Sequence, residues 1–131
     1  MKLDIECVRD ILITLEQQPT FVQMSTHEFA SLLPQYPINQ IIYTCWRLYE
    51  GKYINLFLYY PPTQSTPVIR AIGDMTFDGH EFLADIKPKN NWERLSAAFK
   101  KGGSASFKAI ANVAIDLGTD ALKTKLGLSN H

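Results

Sequence analysis

The sequence predicts an α+β domain closed by a β-ribbon, and three observations predict it. A pair of short helical segments brackets the turn at Pro34, Gln35, Tyr36 and Pro37. Two apolar strand-like runs, residues 52–60 and 68–72, flank the loop-forming stretch Pro61-Pro62-Thr63-Gln64-Ser65-Thr66-Pro67. The run Met75-Thr76-Phe77-Asp78-Gly79-His80-Glu81-Phe82-Leu83 then reads as a tight strand-to-helix joint: a threonine that caps, a glycine in the first turn and two apolar anchors. Helix–extended–helix–helix–strand–loop–strand is the order of a winged helix-turn-helix domain, three helices plus a ribbon that forms the wing. That domain is expected over residues 1–87. A C-terminal helical extension is expected over 88–131, as part of the same compact unit or as a dimerisation element.

Each element has a local cause. Asp4 can cap a first helix whose apolar positions, Ile5, Val8, Ile11, Leu12 and Leu15, follow helical spacing until Pro19. Residues 20–24 read as a short extended segment. Ser25 and Glu28 form a capping box for a second helix carrying Phe29, Leu32 and Leu33. Pro37 suits the first position of the third helix. There Ile38, Ile41, Ile42, Cys45, Leu48 and Tyr49 share one face, and Asn39, Gln40, Tyr43, Trp46, Arg47 and Glu50 share the other. Gly51 is placed to end it. Ile54, Leu56, Leu58 and Tyr60 point to one side of the first strand. Thr76 starts a fourth helix, with Phe82, Leu83 and Ile86 as anchors and Pro88 beyond its end. A short helix over 91–101 carries Trp92, Leu95 and Phe99. Gly102-Gly103 reads as a hinge, and Ser104 as the cap of a last helix with the stripe Phe107, Ile110, Ala114, Leu117 and Ala121. Ala111, Ala114 and Gly118 would let another helix approach it closely.

Composition narrows the function classes. The chain has 131 residues and zero formal net charge, so it exerts no general pull on nucleic acid or anionic lipid. The charge is unevenly spread: residues 1–99 hold 8 Lys/Arg against 11 Asp/Glu, and residues 100–131 hold 5 Lys against 2 Asp. A polyanion contact would favour the C-terminal third, where Lys100, Lys101 and Lys108 cluster. Cys7 and Cys45 sit in apolar helical settings and are expected as reduced, buried thiols. Met1-Lys2-Leu3-Asp4 places an acid where a secretory signal needs an apolar run, and no stretch approaches about 20 apolar residues. A cytoplasmic location without membrane contact is the expectation.

The opening Met1-Lys2-Leu3-Asp4 through Leu12, the block Ile72 to Leu83, Trp92, Gly102-Gly103-Ser104 with Phe107, and Leu126-Gly127-Leu128 resemble an uncharacterised family. It consists of short bacterial and prophage proteins of winged-helix type with the pattern L-T-W-x-G-H-x-F-L, a domain of unknown function. Met75 and Phe77 stand where that pattern prefers Leu and Trp. Tyr43-Thr44-Cys45 replaces Tyr-His-Leu, and Glu50-Gly51-Lys52-Tyr53-Ile54 replaces Glu-Ala-Gly-Leu-Ile. The resemblance implies the fold and a mobile-element context, and no activity.

Chemistry is sparse. His80 with Asp78, Glu81 and Asp85 lies within two turns, but acids there also suit a positive helix end, and no second histidine has ligand spacing. No metal site and no cofactor is expected. His80 reads as a packing or hydrogen-bonding residue, and Gly79 as permitting close contact of helix and strand. With no nucleophile elbow, phosphate loop or zinc spacing, no enzymatic activity is expected. The remaining functional face is that of the third helix: Asn39, Gln40, Tyr43, Trp46 and Arg47. Asn and Gln can read adenine. However, only Arg47 is charged and the wing loop has no basic residue, where DNA binding would need several phosphate contacts. Tyr, Trp and Arg instead dominate protein–protein hot spots. Trp46 could be covered by the chain's own C-terminal helices, by a second copy, or by a host or phage protein. The stripe of the last helix could be an internal core or a dimer seam, with self-association preferred. The expectation is a homodimeric regulatory binding protein acting through protein contacts; the alternative is a DNA-binding regulator of winged-helix type using the third helix with Lys100, Lys101 and Lys108.

Overall fold

The computed structural model describes residues 1–102 and 107–127. Among them lie α1 (Ile5–Glu16), α2 (Thr26–Ser31), α3 (Ile38–Glu50), β1 (Ile54–Tyr59), β2 (Val68–Met75), α4 (Phe77–Ile86), α5 (Lys89–Gly102) and α6 (Phe107–Lys125). The fold is mixed α+β, with one two-stranded antiparallel sheet. No helix among the described residues is long and apolar enough to cross a membrane. The chain divides into two compact units, one of Met1 with Leu3–Gly79, the other of Lys2 with the residues from His80 onward. The division falls within α4, ahead of the 87/88 position expected from sequence.

In the first unit, Asp4 caps α1 by accepting from the Glu6 N–H at 2.9 Å. Ile5, Cys7, Val8, Ile11, Leu12 and Leu15 are all buried, as the spacing demanded. Ser25 accepts from the Glu28 N–H at 3.1 Å and starts α2. Phe29 and Leu33 enter the core, whereas Leu32 is exposed. The expected extended segment 20–24 lies along β2: Met24 and Ile72 exchange both backbone hydrogen bonds, and the Val22 N–H donates to Asp74 Oδ1 at 2.8 Å. β2 therefore has residue 24 on one side and β1 on the other.

The ribbon pairs Ile54 with Met75, Leu56 with Ile72 and Tyr59 with Val68, with two register irregularities between them. Ile54, Ile72 and Met75 are buried, Leu56 and Leu58 are half-buried, and Phe57 and Tyr59 face solvent. Tyr60, expected on the inner side, lies beyond β1 and is exposed. β2 runs to Met75 rather than ending at Ile72. Gly73 and Asp74 are poor strand formers, yet Gly73 lies against the backbone of Asn55, where a Cβ would come within 2.9 Å of the Asn55 oxygen.

The end of α3 differs from expectation in one residue. Gly51 caps α3 just past Glu50 with an ordinary φ of −78°, and the left-handed position falls to Lys52, with φ 66°. The Lys52 N–H bonds to the Tyr49 oxygen at 2.9 Å and the Tyr53 N–H to the Leu48 oxygen at 2.9 Å, the two bonds of a Schellman ending. In the resembled pattern Glu-Ala-Gly-Leu-Ile, the glycine stands at this left-handed position. Gly51 has a separate role, since a Cβ on it would press on the Tyr53 ring at 3.0 Å.

That ending is tied to the start of α4. The Thr76 N–H donates to the Tyr53 oxygen at 3.0 Å, and the Thr76 hydroxyl donates to the Lys52 oxygen at 2.6 Å. The same hydroxyl accepts from the Gly79 N–H at 3.0 Å, so Thr76 is the expected cap. Gly79 lies so close that a Cβ would overlap the Tyr53 carbonyl oxygen. His80 is exposed rather than packed.

In the second unit Phe82, Leu83 and Ile86 are buried. α5 begins directly after Pro88, whose oxygen accepts from the Trp92 N–H at 2.9 Å. Asn91 is buried and donates to the Asp85 carbonyl at 2.8 Å. Leu95 is buried, Trp92 and Phe99 are half-buried, and α5 packs on α6. Ile110, Ala111, Ala114 and Leu117 of α6 are buried, so the stripe preferred for self-association is an internal core. Its Ala121 remains exposed. The Asp85 carboxylate occupies the space that a Cβ on Gly118 would need. Gly102 closes α5, and Gly103 and Ser104, expected as hinge and cap, lie outside the described residues, as does the tail from Leu128.

Two substitutions at the α3–α4 joint should act in opposite directions. Gly79→Ala forces backbone apart and should cost about 3 kcal/mol, the upper part of the overpacking range. Lys52→Gly relieves the left-handed strain and should add about 0.5–1 kcal/mol after the extra chain entropy of glycine is deducted. Urea unfolding midpoints at unchanged slope check both.

Candidate binding surface on the third helix

The inner face of α3 fixes its orientation. Ile41, Thr44, Cys45 and Leu48 are buried, and Ile38, Ile42 and Tyr49 are half-buried. Thr44 is a buried residue that the apolar spacing missed. Its hydroxyl donates to the Gln40 oxygen at 2.7 Å, satisfying a polar atom one turn back, and its side chain also bonds Cys7. Burial pushes the Cys7 thiol up to about 11 against the lowering effect of Thr44, with Asp4 and Asp10 adding to the rise. Burial, with Cys7 nearby, takes Cys45 to about 12. Both cysteines are free thiols. In the turn before α3, the Tyr36 hydroxyl donates to Asp10 Oδ2 at 2.6 Å; burial, and then that bond, hold the phenol well above its ordinary value.

The outer face carries the residues singled out by sequence, and the structure separates them into two groups. Gln40 is turned inward to structure: its Nε2 donates to Asp4 Oδ2 at 2.9 Å, joining α3 to the cap of α1. Asn39 is exposed and stands apart near the start of the helix. Tyr43, Trp46 and Arg47 enter two separate contacts, Arg47 with Tyr43 and Trp46 with Tyr49. The Arg47 guanidinium lies 5.4 Å from the centre of the Tyr43 ring, and Trp46 meets Tyr49 edge to face with ring centres 6.0 Å apart. Arg47 also pairs with Glu50 at 3.1 Å, with about half of each side chain exposed. Such a pair is worth well under 1 kcal/mol in water and yields readily to a partner. Tyr43 and Trp46 are half-buried, so each ring keeps a solvent-facing portion fixed by its neighbours. Tyr49 is the member that sequence assigned to the inner face; a T-shaped partner one turn along from Trp46 was the signal available.

Positive charge around this face is limited. Lys52 and Arg70 are exposed at the start and far side of the ribbon, and Arg70 shares a shallow surface with Tyr59 and Val68. Residues 61–67, the expected wing loop, carry no charge. Lys108 is exposed on α6, while the side chains of Lys100 and Lys101 lie outside the described residues. Among the described residues no group of three or more His, Cys, Asp or Glu could hold a metal ion. Burial, with Glu81 nearby, holds the Asp85 carboxyl above its ordinary value.

A family model described as Hypothetical protein (DUF2513) matches residues 2–105. No curated protein and no solved structure matches the chain.

The buried thiols give a check on how α3 sits. At pH 8 a thiol near 11 is about one part in a thousand thiolate and one near 12 about ten times less, and thiolate is the reactive form. A disulfide reagent should leave both cysteines untouched in the native protein and titrate two in denaturant; fast reaction of either in the native state would contradict the placement of α1 against α3.

Proposed function

We propose that the chain, which belongs to the DUF2513 family of hypothetical proteins, is a non-enzymatic regulatory binding protein of winged helix-turn-helix fold. It acts through protein–protein contacts made by α3, in the cytoplasm and as a homodimer. The order of elements, the antiparallel ribbon and the Met24–Ile72 bridge support the winged-helix reading, with α2 and α3 as the helix pair. The observation that carries the functional reading is the outer face of α3, where Tyr43 is paired with Arg47 and Trp46 with Tyr49 on a helix anchored from beneath. Rigid aromatic anchors lose little side-chain freedom on binding, which is why they dominate hot spots. The resemblance to prophage proteins favours a host factor or phage regulator as partner, by analogy.

One observation favours DNA as a second reading: Asn39 and Arg47 are exposed on the helix that a helix-turn-helix protein would lay in the major groove. Charge weighs against it. Arg47, Lys52 and Arg70, the exposed cations on α3 and beside the ribbon, would by themselves give a salt slope of only about −2.7, against roughly −5 to −9 for proteins with 6–10 phosphate contacts; Lys100, Lys101 and Lys108 would have to join them to reach that range.

Trp46→Ala should weaken capture of the protein partner from a host lysate by at least about 30-fold, the loss expected for a hot spot of about 2 kcal/mol, while the chain stays folded with a melting temperature lowered only by the lost contact with Tyr49. A variant that keeps every partner removes α3 as the contact surface. Titration against random duplex at low salt should show no binding. Binding with a steep salt dependence would establish the DNA reading in its place.

A further inference from the structure

α6 carries two apolar stripes. Ile110, Ala111, Ala114 and Leu117 are buried in the second unit. A second set, Ile115, Thr119, Leu122 and Leu126, lies roughly 120° round the helix axis from the first, at 100° per residue. Ile115, Leu122 and Leu126 are 55%, 56% and 59% exposed. Helical bonding continues to Leu126, whose N–H donates to the Leu122 oxygen at 2.9 Å, and Gly127 with φ 71° then turns the chain away.

The spacing of this set is four, three, four, the register of a coiled-coil seam. We propose that the seam pairs with the same seam of a second copy, in antiparallel orientation about a two-fold axis. The proposal develops the homodimer of the functional reading and names its surface. A four-three-four pattern reads identically from either end, so the axis sets Ile115 against the partner's Leu126 and Thr119 against the partner's Leu122. Charge selects both the occupant and the direction. Asp116 and Lys123 flank the seam on one side, and the antiparallel arrangement brings each Asp116 to the partner's Lys123, twice over by symmetry. A parallel pair would leave those two charges facing Ala111 and Gly118. It would also bring together two copies of Asn112 and of Lys108, which continue the register toward the start of the helix. In the antiparallel pair these polar positions fall past the partner's seam and stay in water.

The apolar part of the seam spans about 17 Å of helix, which places the interface below standard size and the dimer in the micromolar range. Sedimentation of the full chain over a concentration series at low salt should show a reversible monomer–dimer equilibrium. Leu122→Asp should give monomer throughout with an unchanged thermal melt, because the residue it replaces is exposed. Asp116→Lys and Lys123→Asp should each weaken the dimer by about tenfold through like-charge contact, and the double variant should return to within about threefold of the parent. A chain that stays monomeric at millimolar concentration overturns the proposal. So does a dimer that survives Leu122→Asp, or a double charge reversal that fails to rescue. Trp46→Ala should leave this equilibrium unmoved, so failure of the seam and failure of the α3 surface are read separately; a dimer lost in Trp46→Ala would assign self-association to α3 and overturn the seam.

Discussion

The arrangement of the first unit depends on how the end of α3 and the start of α4 share one set of hydrogen bonds. A helix ending leaves carbonyls without partners, and a helix beginning leaves N–H groups without them. At this joint the Thr76 hydroxyl serves both, accepting from Gly79 and donating to Lys52, while the Thr76 N–H takes the Tyr53 carbonyl. Only a residue without a Cβ lets the first turn of α4 come so close to Tyr53. The left-handed turn at Lys52 aims the Lys52 and Tyr53 carbonyls at Thr76. Sequence neighbours on either side then have no freedom: Ile54 must begin β1 and Met75 must end β2 directly opposite it.

The outer face of α3 inherits its rigidity from this constraint and from two others. The Gln40–Asp4 bond holds the start of the helix against the cap of α1, and Thr44 and Cys7 close the gap between the two helices with a polar contact. A helix fixed at both ends and along its buried side presents Tyr43 and Trp46 in one orientation. Side chains held in this way would meet a partner with much of their ordering cost already met by folding. In the same geometry the Arg47 guanidinium is shared between Glu50 and the Tyr43 ring.

Sequence was most legible where one local pattern dominates. Asp4, Ser25 and Thr76 are short polar residues before apolar periodicity, and all three cap. The stripe of α1, and Ile110, Ala114 and Leu117 of α6, followed from spacing, though Ala121 is exposed and spacing did not tell an internal core from a seam. The misses have tertiary causes. Gly73 and Asp74 look like a strand end, yet pairing with β1 carries the strand through them. Gly51 looks like the left-handed residue, but the helix ends one residue later than that and the positive φ falls on Lys52. Gln40 reads as an exposed polar residue because nothing in its neighbourhood announces Asp4, 36 residues earlier. Of the surface residues, Tyr43, Trp46 and Arg47 were legible as a face; that Tyr49 completes the aromatic contact depends on rotamers that spacing does not encode.

α6 shows why a stripe found by spacing need not be the one left for assembly. Its strongest set, Ile110, Ala114 and Leu117, is internal because Gly118 admits Asp85 and small residues admit α5. A helix with one core stripe would carry polar residues on the remainder. Here Ile115, Leu122 and Leu126 interrupt that polar surface at a second angle, in the last three turns, where Asp116 and Lys123 of opposite sign stand seven residues apart. Scattered exposed apolar residues would need no explanation. Three in one coiled-coil register, bounded by Asn112 at one end and Gly127 at the other and flanked by charges that can be matched only by reversing the helix, specify their complement, and that complement is the same helix.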